Sequence, residues 1–397
     1  MKNDSFKTRL TQWLWYSFKD RFYKERIEDT TIIQNINFSA TRTQKKAIVT
    51  YLTASYTADW GNKNIGRTQP LEILSIVKVL TDLDYVVDVV DCNDLNILPF
   101  IATKKYDLIF GFGEVFYQLT KNHPDAMSVL YMTEHHPDIA DREEKKRIAY
   151  FYERHKKKAR IVRSGNYYKS HYFNQTYSHI ITMSEVDPYL KEYKTPFAIF
   201  PTGVVNDDFT FQQKNHSTAR KHFLWFGSFG AVHKGLDLLL DVFENRDDVV
   251  LHIAGLSEED EKLLSPKKRP NIINHGYINI KSNTFLEVVK TCSFSILPSC
   301  SEACSTAITT SMLHGLIPIV IKDAGFNRLK ANAIFLEDFK VPYLDEKVTE
   351  ISNRSSRDLE NFSKGVFNFA HENFSNTTFE MNLKKIMNTI VKNEQDD

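Results

Sequence analysis

The chain has 397 residues, 42% of them apolar and 25% charged, with a formal net charge of +1. That length suggests two or three domains, the composition is that of a soluble globular protein, and the near-neutral charge argues against a nucleic-acid binder. Cys92, Cys292, Cys300 and Cys304 are irregularly placed and make no disulfide framework, which fits a reducing compartment. No run of apolar residues is long enough for a membrane span, and Lys7, Arg9, Lys19 and Arg21 interrupt any signal-peptide core. The expected location is cytoplasmic, with a peripheral position at the inner face of the membrane left open.

In chain order, Phe6–Tyr23 comes first and mixes Trp13, Trp15, Phe18 and Phe22 with four basic residues, as an imperfectly amphipathic helix. Strand-like runs are predicted at Lys46–Thr53, Tyr85–Asp91, Tyr106–Gly113, Ser128–Glu134, His179–Glu185 and Phe197–Gly203. Helical patterns such as Pro70–Leu83 and Asp141–Lys158 lie between them. After a polar, aperiodic stretch at Val204–Lys221 the alternation resumes. Strands are predicted at Phe223–Ser228, Val249–Gly255, Asn271–Tyr277, Ser293–Ser299 and Ile317–Asp323, and helices at Gly235–Glu244, Glu258–Leu264, Thr284–Cys292 and Ser305–His314. Two further helices, near Ser356–Glu372 and Thr378–Lys392, close the chain. Apolar strands alternating with amphipathic helices predict parallel sheets covered on both faces. The fold class is therefore α/β, with two doubly wound Rossmann-like domains facing across a cleft. The expected division is an aromatic and basic extension at 1–45, domains at 46–205 and 206–365, and helices at 366–397 that cross back to the first domain.

Seven of the fourteen glycines lie between Gly227 and Gly325. Gly227, Gly255 and Gly276 each end a predicted strand, where glycine either admits a ligand to the backbone or only makes a tight turn. The loop from Phe226 runs through Gly227 and Ser228 to Lys234 and opens into a helix. A lysine there would neutralise a diphosphate while loop amides donate to it. Alternatively it is a solvated lysine at a helix start, where a cation is mildly disfavoured. In the third segment a strand ends at Ser299, Glu302 follows, and a helix starts near Ser305. The amides of Cys304, Ser305 and Thr306 would suit a diphosphate. Glu302 would accept from sugar hydroxyls, or would simply be a carboxylate favoured near a helix N-terminus. Cys300 and Cys304 have no second ligand pair nearby, so they are not read as a metal site.

The combination of Gly227…Lys234-Gly235, Ser299-x-x-Glu302 and Gly315-x-x-Pro318 resembles the GT-B glycosyltransferases of family 4, the retaining glycosyltransferases group 1. The resemblance implies that the first domain receives the acceptor and the second the nucleotide-sugar donor. It assigns Lys234, with His233 beside it, to the diphosphate together with Gly227, Ser228 and the Ser305–Thr306 helix start. It gives Glu302 the donor-sugar hydroxyls, Thr310 the ribose and the backbone near Tyr277 the base. Across the cleft it implies a strand-end histidine near the donor, His136 with His135 as the alternative, and a glycine approaching the phosphates, Gly66, followed by Arg67. The catalytic set is then His136, Glu302 and Lys234. Two positions depart from the family. Thr310 stands where a second glutamate is usual, and without charge assistance its hydrogen bond is roughly half as strong. Ser228 replaces a basic residue in a loop one residue longer, a pattern similar to that of some capsule-type members.

The implied activity is metal-independent hexosyl transfer with retention, without a cofactor, from a nucleotide-diphosphate sugar to a glycan or lipid-linked glycan in bacterial surface-polysaccharide assembly. Alternatives are a non-catalytic GT-B partner protein or another GT-B enzyme such as a sugar-nucleotide epimerase. Replacing Glu302 or Lys234 by alanine is expected to abolish transfer with the thermal melt nearly unchanged. Asp82-Leu-Asp84 is read as incidental. The basic stretch Arg142–Arg163 and the N-terminal segment either rest on anionic lipid or pack and solvate as ordinary helices.

Overall fold

The computed structural model describes residues 24–27, 30–41, 43–58, 67–211 and 214–396. The first sheet contains β1 (Lys24–Ile27), β2 (Thr30–Ile36), β3 (Lys46–Tyr51), β4 (Val86–Asp91), β5 (Leu108–Gly111), β6 (Met127–Met132), β7 (His179–Thr182) and β8 (Phe197–Ala198). Their spatial order is β1-β2-β4-β3-β5-β6-β7-β8. From β4 to β8 all neighbours pair in parallel, whereas β1 and β2 run antiparallel at one edge. The first sheet thus begins well before position 46, inside the stretch expected to be an extension. The second sheet contains β9 (His222–Phe226), β10 (Val250–Ala254), β11 (Ile272–Asn274), β12 (Phe294–Leu297), β13 (Ile317–Ile321) and β14 (Ile334–Leu336). It is parallel throughout, in the order β11-β10-β9-β12-β13-β14.

Helices cover both faces of each sheet, so the central strands are continuous apolar runs. Ala47, Ile48 and Val49 on β3 are fully buried, as are Phe223, Leu224 and Trp225 on β9. The strand order reverses between β3 and β5 in one sheet and between β9 and β12 in the other. Ligands bind at such switch points, beyond the carboxyl ends of the strands. This topology therefore aims the ends of those four strands at each other.

Three sets of contacts hold the two sheets in register. The last helix, Asn376–Asp396, returns to the first domain and lies along the helix Thr68–Asp82. Its Phe379, Leu383, Met387 and Ile390, at helical spacing, complete the first domain's core. Burying four such side chains contributes roughly 6–12 kcal/mol before entropy is counted. Asp82 is engaged by Lys78 and Lys384 in this contact.

The second set engages part of the basic stretch Arg142–Arg163. The helix Pro137–His155 of the first domain docks onto the second. Arg147 is 1% exposed, donates to the Pro298 carbonyl at 2.8 Å and lies over the Phe339 ring. Arg154 pairs with Asp237 and Asp241, Lys157 donates to the Leu263 carbonyl, and Arg160 pairs with Glu259. These cations are occupied by the facing domain because its helices present carboxylates and free carbonyls to them. The N-terminal segment Phe6–Tyr23 lies outside the described residues, and no helix among those described is long and apolar enough to cross a membrane.

In the third set Asn327 donates its amide to Glu185, and Arg328 donates to the carbonyls of Met183 and Ile199.

Candidate active site between the two domains

A cavity of about 340 Å³ lies between the facing strand ends. The first domain lines it with Tyr51, Glu72, Phe112, Glu134, Arg163 and Tyr167, and the second with Gly227, Ser228, Lys234, Glu302, Ser305, Thr306 and Thr310. Most residues expected to hold the donor are therefore brought together.

The arrangement of Lys234 and Glu302 is not the expected one. The two side chains pair with each other, Nζ donating to Oε1 at 2.8 Å, and both are more than nine-tenths buried. Burial alone would raise the Glu302 pKa, but the charges of Lys234, Arg163 and His233 hold it down at about 2. Burial pulls the Lys234 ammonium below its usual range, against the attraction of Glu302. The carboxylate also accepts the Ser299 hydroxyl at 2.9 Å. Its loop is pinned from behind, since Glu302 N donates to Ala324 O and Cys304 N to Gly325 O. A Cβ on Gly325 would stand 1.7 Å from the Glu302 carbonyl oxygen, and its φ is +94°. Glycine is required there.

The same pinning corrects part of the anion-site reading. The Cys304 amide is already engaged, which leaves Ser305 and the first turn of the helix Thr306–Leu313 beside the cavity. In the other loop, Gly230 N and Ala231 N donate to the Asp260 carboxylate, so they do not face a ligand. Gly235 begins the helix Leu236–Phe243 in a left-handed conformation, φ +72°, with Pro298 closely packed against it. Among the strand-end glycines only Gly227 lines the cavity. At Gly255 a Cβ would meet the Gly227 carbonyl at 2.1 Å, so that glycine serves strand packing.

Further residues stand apart from the expected places. His136 caps the helix Pro137–His155, its Nδ1 accepting from the Asp138 amide, and its ring lies against Phe173 and Tyr189. It lines neither this cavity nor the smaller one beside it, because the turn of a helix start directs successive side chains apart. His135 takes the inward position, 3.4 Å from Glu185. With Glu134, Arg163, His233, Ser301 and Glu302 it lines an adjoining cavity of about 30 Å³. The His135 Nδ1 and Ser301 Oγ atoms have no protein partner among the described residues. Tyr277 is 72% exposed and off the cavity wall, which Ile280 lines instead. The Thr310 hydroxyl already accepts from Val204 N at 3.2 Å. His233 faces Glu144 and the Ser301 carbonyl. Gly66 lies outside the described residues, while Arg67 does line the cavity.

Sequence reasoning missed Arg163 and Glu134 as site residues. Arg163 lies across the cleft from Lys234, its guanidinium over Phe229 and 4.0 Å from Glu134. Burial pushes Glu134 up to about 7 despite the opposing pull of Arg163. Glu72 is likewise pushed to about 7 by burial, although Tyr51 and Tyr131 donate to it at 3.0 and 3.3 Å. The only available signal for Arg163 was its membership of a basic run, which does not distinguish a cleft from a surface.

Residues 220–350, which contain all six strands of the second sheet, match the family described as Glycosyl transferases group 1. No curated protein matches the chain. Sucrose-phosphate synthase from Thermosynechococcus elongatus is similar in structure, with a TM-score of 0.60 at 12% identity, over 88% of this chain and 100% of that one. HepE from Anabaena, solved with UDP and glucose, superposes at 0.56 and 11% identity, over 87% of this chain and 100% of its own. The pneumococcal O-GlcNAc transferase GtfA, solved with UDP and GlcNAc, superposes at 0.51 and 12% identity, over 75% of this chain and 59% of its own. The fold is GT-B. The class that this fold and the group 1 domain define is glycosyltransferase, an enzyme of sugar transfer.

Proposed function

We propose that the protein transfers a hexosyl group, with retention of anomeric configuration, from a nucleotide-diphosphate sugar to a glycan or lipid-linked glycan, as in assembly of a bacterial surface polysaccharide. The observation that carries the reading is the buried Lys234–Glu302 pair at 2.8 Å on the cavity wall, facing Arg163 from the opposite domain. A lysine ion-paired inside a cleft offers a fixed charge in a low-dielectric setting, where it stabilises developing negative charge strongly.

In this reading the diphosphate lies between Lys234, Arg163 and the first turn at Ser305–Thr306, and these groups, without a resident metal or cofactor, balance its charge. Glu302, with one oxygen on Lys234 and Ser299, offers its remaining lone pairs to donor-sugar hydroxyls. Ser228 and Gly227 flank the phosphates. The ribose lies toward Thr310 and the base toward Phe226 and Ile280. His135 takes the place across the cleft first given to His136. As the donor bond breaks, its electron pair stays on the leaving phosphate oxygen. The acceptor oxygen bonds to the anomeric carbon on the same face and gives its proton to that phosphate. The group 1 match and the UDP found in HepE and GtfA support a nucleotide-bearing donor.

Calorimetric titration of the full chain with UDP, GDP, ADP and CMP, followed by hydrolysis of the matching sugar nucleotides, tests the reading. Binding of one diphosphate, abolished by Lys234→Met, is the expected result. Binding of none would refute it.

A further inference from the structure

His233 is 4% exposed and precedes Lys234, yet its partners lie on two domains. Nε2 is 2.7 Å from the Ser301 carbonyl, on the loop that carries Glu302. Nδ1 is 3.4 Å from Oε1 of Glu144, on the docking helix of the first domain. Glu144 is 1% exposed and gathers the amides of Val162, Arg163 and Ser164 at 3.1, 3.2 and 2.7 Å, fixing the backbone that bears Arg163. A carbonyl and a carboxylate both only accept. A neutral imidazole has one N–H, so one nitrogen would set its lone pair against an oxygen. A Cys300 thiol, with Sγ 3.4 Å from Nδ1, can fill that lone pair, but it leaves the buried Glu144 carboxylate facing an uncharged ring, whereas a second ring proton sets a cation 3.4 Å from it.

We infer that His233 is a doubly protonated clasp, joining Glu144 of one domain to the Ser301 carbonyl of the other and so positioning Lys234 and Glu302 against Arg163. That such positioning serves sugar transfer rests on the function proposed above. The clasp itself does not. The groups facing the ring are Glu144 from the docking helix, Cys300 and Glu302 from the loop after β12, and Lys234 from its own loop. Glu134, His135 and Arg163, of the first domain, share the small cavity with it. Burial would depress the imidazolium, but Cys300, Glu144 and Glu302 outweigh it and raise the pKa to about 9. His233 touches no reacting atom and is a positioning residue.

The test is nitrogen-resolved NMR of histidine-labelled full chain, titrated from about pH 6 to about pH 10, with His233→Gln to assign the signal. Both ring nitrogens should stay protonated until about pH 9, and Glu144→Gln should move that titration down by about one pH unit or more. A neutral ring at neutral pH, or a titration that Glu144→Gln leaves in place, overturns the clasp. With a donor in hand, His233→Gln should lower kcat about 10- to 100-fold, because small displacements of catalytic groups cost that much. It should also remove the fall in activity expected of the parent above about pH 9, where the His233 ring loses its second proton. A variant with the parent's kcat and pH profile overturns the positioning role. Failure of the parent to bind any nucleotide would count against the proposed function, while the NMR titration would still decide the clasp.

Discussion

Breaking the Lys234–Glu302 pair should destabilise the protein as well as stop transfer, which revises the expectation of an unchanged melt. Lys234→Met leaves a carboxylate that is 8% exposed, and Glu302→Gln leaves an ammonium that is 6% exposed. Removing one partner of a buried pair costs about 3–5 kcal/mol. The Ser299 hydroxyl and the charges of Arg163 and His233 still favour the carboxylate, so Lys234→Met should fall at the low end, about 3 kcal/mol. Lys234 can shed its proton more readily than an exposed lysine, which brings Glu302→Gln to about 2–3 kcal/mol. The double variant carries neither orphan charge. It should cost less than the sum, with a coupling energy of about 2–3 kcal/mol. Urea unfolding can be followed by tryptophan fluorescence, to which Trp225 contributes from this region: it is fully buried on β9 and donates to the Lys234 carbonyl at 3.2 Å. Single variants costing less than about 0.5 kcal/mol, with an additive double, would refute the argument that the pair is a closed, desolvated unit.

Arg163→Ala should weaken binding of the diphosphate about 10- to 100-fold, the loss of one charged hydrogen bond. Unchanged affinity by calorimetry would remove Arg163 from the site. Gly325→Ala forces a Cβ onto the Glu302 carbonyl at 1.7 Å, so both melt and nucleotide affinity should fall, and an affinity equal to the parent's would show that the loop is not held by this contact. His222, His252 and His275 form a ladder across β9–β11, with ring nitrogens 2.9 and 3.0 Å apart. Burial lowers all three pKa values, His252 to about 3. The unfolded chain, with histidines near about 6.5, binds more protons than the native one below that value, so stability rises with pH there. The ladder's contribution is complete above about 6.5 and is lost as pH falls toward about 3. The gap between urea midpoints at two pH values on either side of the upper limit should be smaller in His252→Gln than in the parent, and an equal acid loss in parent and variant would dismiss the ladder as a source.

The double βα alternation was readable because buried parallel strands such as Ala47–Val49 are unbroken apolar runs with helical patterns between them. The pair β1–β2 was not, since an edge ladder such as Thr30–Ile36 mixes polar residues with Ile32 and Ile33 and takes its register from β4. At three residues, β14 is too short for periodicity to declare, while β11 lies inside the strand predicted at Asn271–Tyr277 but is shorter than it. In the site, residues carried by a contiguous motif, Gly227, Lys234 and Glu302, could be found from one segment at a time. What joins two segments could not. The mutual pairing of Lys234 and Glu302 spans 68 positions. Arg163 was indistinguishable from its basic neighbours until Glu144 was seen to hold its backbone. The choice between His135 and His136 depends on which way one helix start turns, a matter of a single peptide unit.

The return of Asn376–Asp396 to the first domain also sets an order of synthesis. The second domain is, topologically, inserted between the body of the first and its final core helix. On the ribosome the second domain has all its strands before Phe379, Leu383, Met387 and Ile390 have emerged. The first domain, though made earlier, must wait with an open apolar face on its helix Thr68–Asp82. Domains usually complete themselves in order of emergence; here the one made second is finished first, and its neighbour is sealed only by the helix that follows it.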